Sequence, residues 1–303
     1  MEKKTLKKTI KNTLPFHLKY YMMFWKGIGR RPRLFHPKDY RDYVFRANFF
    51  NLHKVHAYLA DKLLVREFVK ERGLEYTLTK LYGFWDDAKT VDFEKFPNQF
   101  AIKCNHSADM NIIVYDKKTL NIEETRAKLD KWMHMKHYAF FERHYIYIRP
   151  MILCEELIPS NEDGTFPIDY KIHCANGTPV FIQCCTERSE TSGGKRVIYS
   201  PNWERLPYTI DSDSMYSDED IPRPFKLDEM LEVACKLSAG LEYARIDLYE
   251  VDRVEDGKEV HRIIFGEVTL TPQGGLLTYY TQEALNEMGK AIKENRNKHK
   301  LID

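Results

Sequence analysis

A carboxylate taken out of water needs a cation beside it, and one stretch of this chain sets two carboxylates into otherwise apolar strands. From Tyr243 to Gly275 it runs YARIDLYEV, a charged turn, then HRIIFGEVTLTPQGG, with Asp247 in the first run and Glu267 in the second. Strand alternation puts Tyr243, Arg245, Asp247 and Tyr249 on one face of the first strand, and Glu267, Thr269 and Thr271 on one face of the second. The turn decides how the two acids meet. A two-residue Asp256-Gly257 turn would oppose Asp247 to Gly266, whereas a three-residue loop of Asp256, Gly257 and Lys258 opposes it to Glu267. The second register is expected, with an odd number of loop residues. Two adjacent carboxylates repel unless a divalent cation lies between them, and an all-oxygen pair completed by phosphate suits Mg²⁺.

With 303 residues, 13% aromatic, the chain can bury a large core. No apolar run approaches the roughly 18 to 20 residues needed to cross a bilayer, and the start, MEKKTLKKTIKNTLPF, lacks the uninterrupted apolar stretch of a secretory signal. A globular, cytoplasmic protein is expected. The net charge of +2 hides an asymmetry: residues 1–46 hold 13 Lys and Arg against 3 Asp and Glu, leaving 34 against 42 in the rest. Two readings of this basic arm stand. Its Tyr20, Tyr21, Met22, Met23, Phe24 and Trp25 form an apolar element that contacts an anionic partner, the inner membrane surface or an anionic polymer, or they are the aromatic end by which a solvated helix packs on the body. Six cysteines with no CxxC read as reduced core residues. His53 with His56, and His134 with His137, have helical spacing but no third ligand nearby, and read as packing or surface histidines.

Along the chain, Asp61 is placed to cap a helix that ends at Gly73, with Lys62 in its first turn. FAIKCNHSADMNIIVYD reads as a hairpin with a long polar tip and Lys103 at the end of its first strand. Asn121 with Glu124 opens a helix that turns Leu129, Trp132 and Met133 inward. YIYIRPMILCEELI is strand-like and ends in Glu155-Glu156, acids that such a position usually leaves in solvent. Asn176-Gly177 between alternating runs predicts a type I′ hairpin in which Lys171 pairs with Ile182. Residues 186–206 lack periodicity and gather Arg188, Lys195 and Arg196 around Gly193-Gly194, a loop suited to an anionic substrate or merely solvated. Two helices follow, one with Met230, Ala234, Leu237 and Leu241 inward, the other opened by Thr281 with Leu285, Met288 and Ile292 inward. No GxxxxGK[ST] occurs, so a P-loop is excluded.

The order of lysines, strand-end acids and carboxylate strands resembles the ATP-grasp superfamily, and within it the teichuronopeptide-biosynthesis-like (TupA-like) branch of bacterial polysaccharide-biosynthesis proteins. The resemblance rests on LADKLLVREFVKE (59–71), FAIKCNH (100–106), CEELI (154–158), DYKIHCANGTPVFIQ (169–183), RIDLY (245–249) and FGEVTLTPQGG (265–275). It implies an α+β ATP-grasp fold, two α+β subdomains clamping ATP, behind a helical basic N-terminal region. The expected divisions are 1–58, then 59–153 with the small subdomain, then 154–303 with the large subdomain and metal site. The resemblance further implies that Lys103 and Lys171 contact phosphates, that Glu155, Glu156, Leu157 and Ile158 form the adenine hinge, and that Asp169 reaches the ribose. Asp247 and Glu267 would hold Mg²⁺, and Arg188, Arg196 and Arg245 would steady the transferred phosphoryl group. Thr269 stands where relatives carry an asparagine ligand, and SADMN replaces their glycine-rich phosphate loop. The implied activity is a carboxylate-amine ligase that uses ATP and Mg²⁺. Its carboxylate belongs to a uronic-acid sugar, nucleotide sugar or polysaccharide precursor, its amine is a small amine or amino acid, and nucleic acid is no partner. A glycosyltransferase of the same pathways, or a nucleotide-binding scaffold without catalysis, are the alternatives.

Overall fold

A computed structural model describes residues 15–50, 54–107, 110–135, 142–159, 165–189, 193–209, 216–217, 219–255 and 258–296. The His53, His137 and acidic-excursion readings fall wholly or mainly outside them. Helices α1 (Phe16–Ile28) and α2 (Tyr40–Phe49) precede α3 (Lys54–Ala60) and α4 (Val65–Glu71). The break between the last two is set by Asp61, whose Oδ1 accepts from the Leu63 and Leu64 amides at 2.8 and 3.2 Å. Past α4 the chain turns at Gly73 (φ 71°), with Leu74 N–H bonded to Val69 C=O.

Two antiparallel sheets follow. The first has the order β1 (Leu81–Trp85), β4 (Ile152–Glu155), β2 (Phe100–Cys104), β3 (Asn111–Val114), covered by α5 (Ile122–Met133). As expected, Asn121 caps α5 by accepting from the Glu124 amide, and Leu129 is fully buried. The segment before β4 is shorter in strand than its sequence suggests, because a 3₁₀ turn takes Arg143–Tyr147.

The second sheet runs β7 (Gly193–Tyr199), β6 (Thr178–Arg188), β5 (Asp169–Ala175), β8 (Ala244–Glu255), β9 (Lys258–Thr269). Residues 186–189 and 193–199 therefore do not form the aperiodic loop expected of them: β6 extends to Arg188 and β7 starts at Gly193, paired Arg188 to Gly193. One face of this sheet packs Tyr170, Ile172, Ile182, Cys184, Ile246, Leu248 and Val268 against α6 (Leu227–Ser238) and against Val65, Phe68 and Val69 of α4. Part of the opposite face lies under α2 and α7 (Gln282–Asn295), through Tyr40, Phe181, Tyr243, Tyr280, Leu285, Met288 and Ile292. All six cysteines are free thiols, with Cys184 and Cys185 on opposite faces of β6.

A bulge in each hairpin separates the pairing at its site from the pairing at its turn. In β5–β6 the strands pair Ala175 with Thr178, but a bulge between His173 and Cys174 shifts Lys171 from Ile182 to Gln183. In β8–β9 the strands close at Glu255 and Lys258, so two residues lie between them and not three. Asp247 nevertheless opposes Glu267, because the extra residue is Gly266 within β9. The expected pairing holds; the loop held responsible for it does not. Glycine fits there because an added Cβ would stand 3.0 Å from the Asp247 carbonyl oxygen and 3.0 Å from the Tyr249 ring.

Candidate active site

Across the face of the second sheet opposite α6 the residues fall into rows. One row joins Gln183, Lys171, Asp247 and Glu267; the row beside it joins Arg196, Cys185, Asp169 and Tyr249; the row on the other side joins Phe181, His173, Arg245 and Thr269. Alternation makes every one of these side chains share a face. Facing them, β2 and β4 bring Lys103 and Glu155, and the turn after Asp61 brings Lys62. With Lys171, Asp247, Glu267, Asp169 and Tyr249 of the rows, these three line a cavity of about 250 Å³ whose wall also includes Arg66, Thr79, Asn111, Ile158, Arg188 and Phe265; Arg245 and Thr269 lie off that wall.

The electrostatics are those of a crowded ion-pair network. Lys171 Nζ lies 2.7 Å from Asp169 Oδ2 and 2.5 Å from Asp247 Oδ2. Burial alone would lower the Lys171 pKa, but the two carboxylates outweigh it and hold the ammonium charged well above its ordinary value. Arg245 bridges both acids, with Nη2 2.7 Å from Asp247 Oδ2 and 3.0 Å from Glu267 Oε1. Thr269 donates its hydroxyl to Glu267 Oε1 at 2.9 Å, so its place two residues on orients the glutamate. Arg188 pairs with Asp169 Oδ2, while Asp169 Oδ1 and Arg188 Nε are buried with no partner. An orphaned acceptor on a cavity wall calls for a donor from a ligand.

Glu155 does not face solvent: it is 8% exposed, bonded to Lys103, 3.0 Å from the Thr79 hydroxyl and 3.6 Å from Arg66. Burial would raise its pKa, and those cations reverse the sign and depress it. Its carboxylate thus aims Lys103. Glu156 is pinned elsewhere, accepting from the Lys80 amide at 3.2 Å, and neither Glu156 nor Leu157 lines the cavity, whereas Ile158 does. Arg196 also lies off the cavity, its guanidinium 4.9 Å from the centre of the Tyr279 ring.

Lys62 is the site residue that the strand reading passed over. Its Nζ donates to the Ser107 carbonyl, and burial lowers its pKa against the pull of Glu267 and Glu155. The available signal was its position next to a helix-capping aspartate that had to turn toward the Asn105 loop; Asn105 Nδ2 donates to Asp61 Oδ2 at 2.9 Å.

Next to Arg245 lies a buried hydrogen-bond chain with a fixed direction. Tyr40 donates to Tyr243, and Tyr280 donates to Gln183 Oε1 at 2.6 Å. Tyr243 is left to donate to His173 Nδ1 at 3.0 Å, and Nε2–H of His173 to donate to Tyr280 at 3.0 Å. Burial, with Arg245 and Lys171 near, depresses the His173 pKa strongly and keeps the ring neutral.

Five cations (Lys62, Arg66, Lys103, Lys171, Arg188) against four carboxylates (Glu155, Asp169, Asp247, Glu267) line a narrow cleft between two sheets. A cleft with one more cation than carboxylate suits an anionic ligand. The sequence matches the model of the TupA-like ATP-grasp family over residues 44–293, and the chain belongs to that family. Among solved structures it is similar to a D-alanine–D-alanine ligase from Bacillus anthracis complexed with ATP, at 16% identity over 78% of this chain and 66% of that one, TM-score 0.44. It is also similar to the ATP-grasp ligase PsnB complexed with a minimal precursor (13% identity, 80% and 62%, TM-score 0.40) and to the D-cycloserine synthetase DcsG (14%, 79% and 71%, TM-score 0.41). The chain spans just under two thirds of the length of the first two. A comparison with curated protein sequences gave no match. Likenesses this distant bear no weight beside the family match.

Proposed function

We propose that this protein is an ATP- and Mg²⁺-dependent ligase that joins a carboxylate to an amine through an acyl phosphate. The observation that carries the reading is the row Lys171, Asp247, Glu267 on one sheet face, set against Lys62 and Lys103 across the cleft. Lys62, Lys103 and Lys171 neutralise the nucleotide phosphates as point charges. Asp169, through its unpaired Oδ1, accepts a ribose hydroxyl, and the chain at Ile158 borders the base.

Arg245 bridges the Asp247 and Glu267 carboxylates, and the described residues offer no cluster of three His, Cys, Asp or Glu ligands, so a divalent ion would share the two acids with that guanidinium or take its place. Two carboxylates completed by phosphate oxygens and water is how Mg²⁺ is commonly held. When bound, the ion supplies charge neutralisation between the phosphates being separated. The residues of this chain do the rest. Lys171 and Arg245 hold Asp247 in place, Thr269 orients Glu267, and Arg245 and Arg188 stabilise charge on the transferring phosphoryl group. The substrate carboxylate oxygen forms the new bond to the γ-phosphorus as the bond to ADP breaks. The amine nitrogen then bonds to the acyl carbon, phosphate leaves, and the amine proton passes to solvent.

The carboxylate is assigned to a uronic-acid sugar of a bacterial surface polysaccharide, a reading supported by the sequence resemblance to the teichuronopeptide branch. The test is ADP release and amide mass with glucuronate- and galacturonate-type donors and a panel of amines. ADP formed only when donor and amine are both present is the expected result; release of UDP from a nucleotide sugar without ADP overturns it. Glu267→Gln should abolish ADP formation while the melting temperature stays close to wild type.

A further inference from the structure

Helix α1 is apolar on two opposite sides, and only one of them is used. Phe16, Tyr20, Phe24 and Ile28 form a stripe at i, i+4, i+8 and i+12 that packs on Phe45, Phe49 and Leu276, with Tyr20 and Phe24 fully buried and Tyr20 donating to the Gly274 carbonyl. Leu18, Met22 and Trp25 lie about 120–180° around the helix from that stripe's centre, and they are 46%, 36% and 46% exposed. Met23 is 40% exposed, and Phe35, in the loop after the helix, is 79% exposed. Half of the arm's aromatic element therefore packs on the body, and half faces outward.

The charges around this second stripe are of one sign. Residues 15–38 contain Lys19, Lys26, Arg30, Arg31, Arg33 and Lys38 and no acid, and residues 1–14 hold five lysines against Glu2. The first acids downstream, Asp39 and Asp42, are buried and bonded to Arg30 at 2.6 and 2.7 Å, so they add no negative charge to the surface. Lys19 and Lys26 flank the stripe on the helix, and Arg31 sits over the Trp25 ring at 5.1 Å. Long cationic side chains that keep their heads at headgroup level, beside Trp, Met and Leu that reach the acyl boundary, make an interfacial helix.

We propose that α1 seats this protein on an anionic lipid bilayer, with Leu18, Met22 and Trp25 in the interface and the surrounding lysines and arginines on the headgroups. A second copy is a poor occupant, since it would bring the same one-signed surface against itself. Nucleic acid would satisfy the cations but leave Leu18 and Met22 in water. A bilayer satisfies both. Because α1 packs on the Pro272–Gly275 turn that follows β9, the docked surface and the carboxylate strand belong to one packed unit. The proposal is independent of which reaction the cleft performs.

The test is flotation of the full chain with vesicles of 30% phosphatidylglycerol in phosphatidylcholine, beside vesicles of phosphatidylcholine alone, with tryptophan quenching by brominated lipid. The expected result is binding to the anionic vesicles, at least tenfold weaker on neutral vesicles or in 0.5 M salt, with quenching. It should fall at least tenfold more in Leu18→Glu/Met22→Glu/Trp25→Glu, whose circular dichroism and melting temperature should match wild type because these side chains are exposed. Three results overturn the proposal: no flotation with anionic vesicles at low salt, equal flotation of wild type and triple variant, or a dimer in light scattering that the triple variant loses.

Discussion

The two hairpins of the second sheet look alike and are set by different means. Each has two residues between its last paired positions, Ala175 and Thr178 in one and Glu255 and Lys258 in the other, and each contains a one-residue bulge. In β5–β6 the bulge lies next to the turn, and the turn itself is tied down: Asn176 (φ 44°) donates to the Asn295 carbonyl at 2.7 Å and accepts from the Gly240 amide at 2.7 Å. In β8–β9 the bulge lies far from the turn, at Gly266 beside Asp247 and Glu267. A bulge near a turn sets which residues a strand presents. A bulge at the site sets how two particular side chains meet. Without the one in β9, Glu267 would point to the face packed on α6, where a carboxylate has no partner.

Breaking the distant bulge should do the most. Gly266→Val forces a Cβ to 3.0 Å from the Asp247 carbonyl and the Tyr249 ring. Unfolding by urea should show a loss of about 1–3 kcal/mol, and Mn²⁺ binding in the presence of ADP should weaken more than tenfold. Unchanged Mn²⁺ affinity would show that the β9 bulge does not align the acids. Asn176→Ala at the other hairpin should cost about 1–2 kcal/mol, because a residue at positive φ is strained and two buried bonds are lost. Its Mn²⁺ and ATP affinities should stay within about twofold, since the site begins three pairs from the turn; a large loss of either would remove the distinction between the hairpins.

The smallest effect is a pH dependence carried by His173, on the face both hairpins share. Its pKa in the folded protein is depressed below its ordinary 6.5, so the unfolded chain takes up the proton first. Stability from this group is complete above pH 6.5 and falls as the pH drops below it, by up to about 1.4 kcal/mol per pH unit. His173→Gln, which can still accept from Tyr243 and donate to Tyr280, should flatten the acid limb relative to wild type in denaturant melts at pH 5.5 and 7.5. Parallel limbs would show that His173 is protonated in the folded state.

Much of the site was legible because buried charge is rare and must be explained. Asp247, Glu267, Lys171 and Lys103 stand out as charged residues inside apolar alternation, and each lies on the cavity wall. The caps at Asp61, Asn121 and Thr281 were legible because they depend on residues within three or four positions. The bulges were not. A single extra residue in a strand leaves no local mark beyond a glycine, and its placement is settled by which register buries the apolar face on α6. Glu155 was misjudged as solvent-facing for a related reason: its partners, Arg66, Thr79 and Lys103, come from three other segments. Arg188 likewise became a strand residue because β7 was there to pair with it.

By itself the amino-acid order determined the helices with their caps, the Asn176-Gly177 turn, the family motifs and the list of charges that had to find partners. These follow from interactions a few residues long. The tertiary structure alone decided which face each charge shares, that Lys62 reaches the cleft from another segment, and that one side of α1 is covered while the other is left bare. Those outcomes depend on packing between distant elements, where a shift of one residue moves a carboxylate from a cation to a hydrocarbon surface.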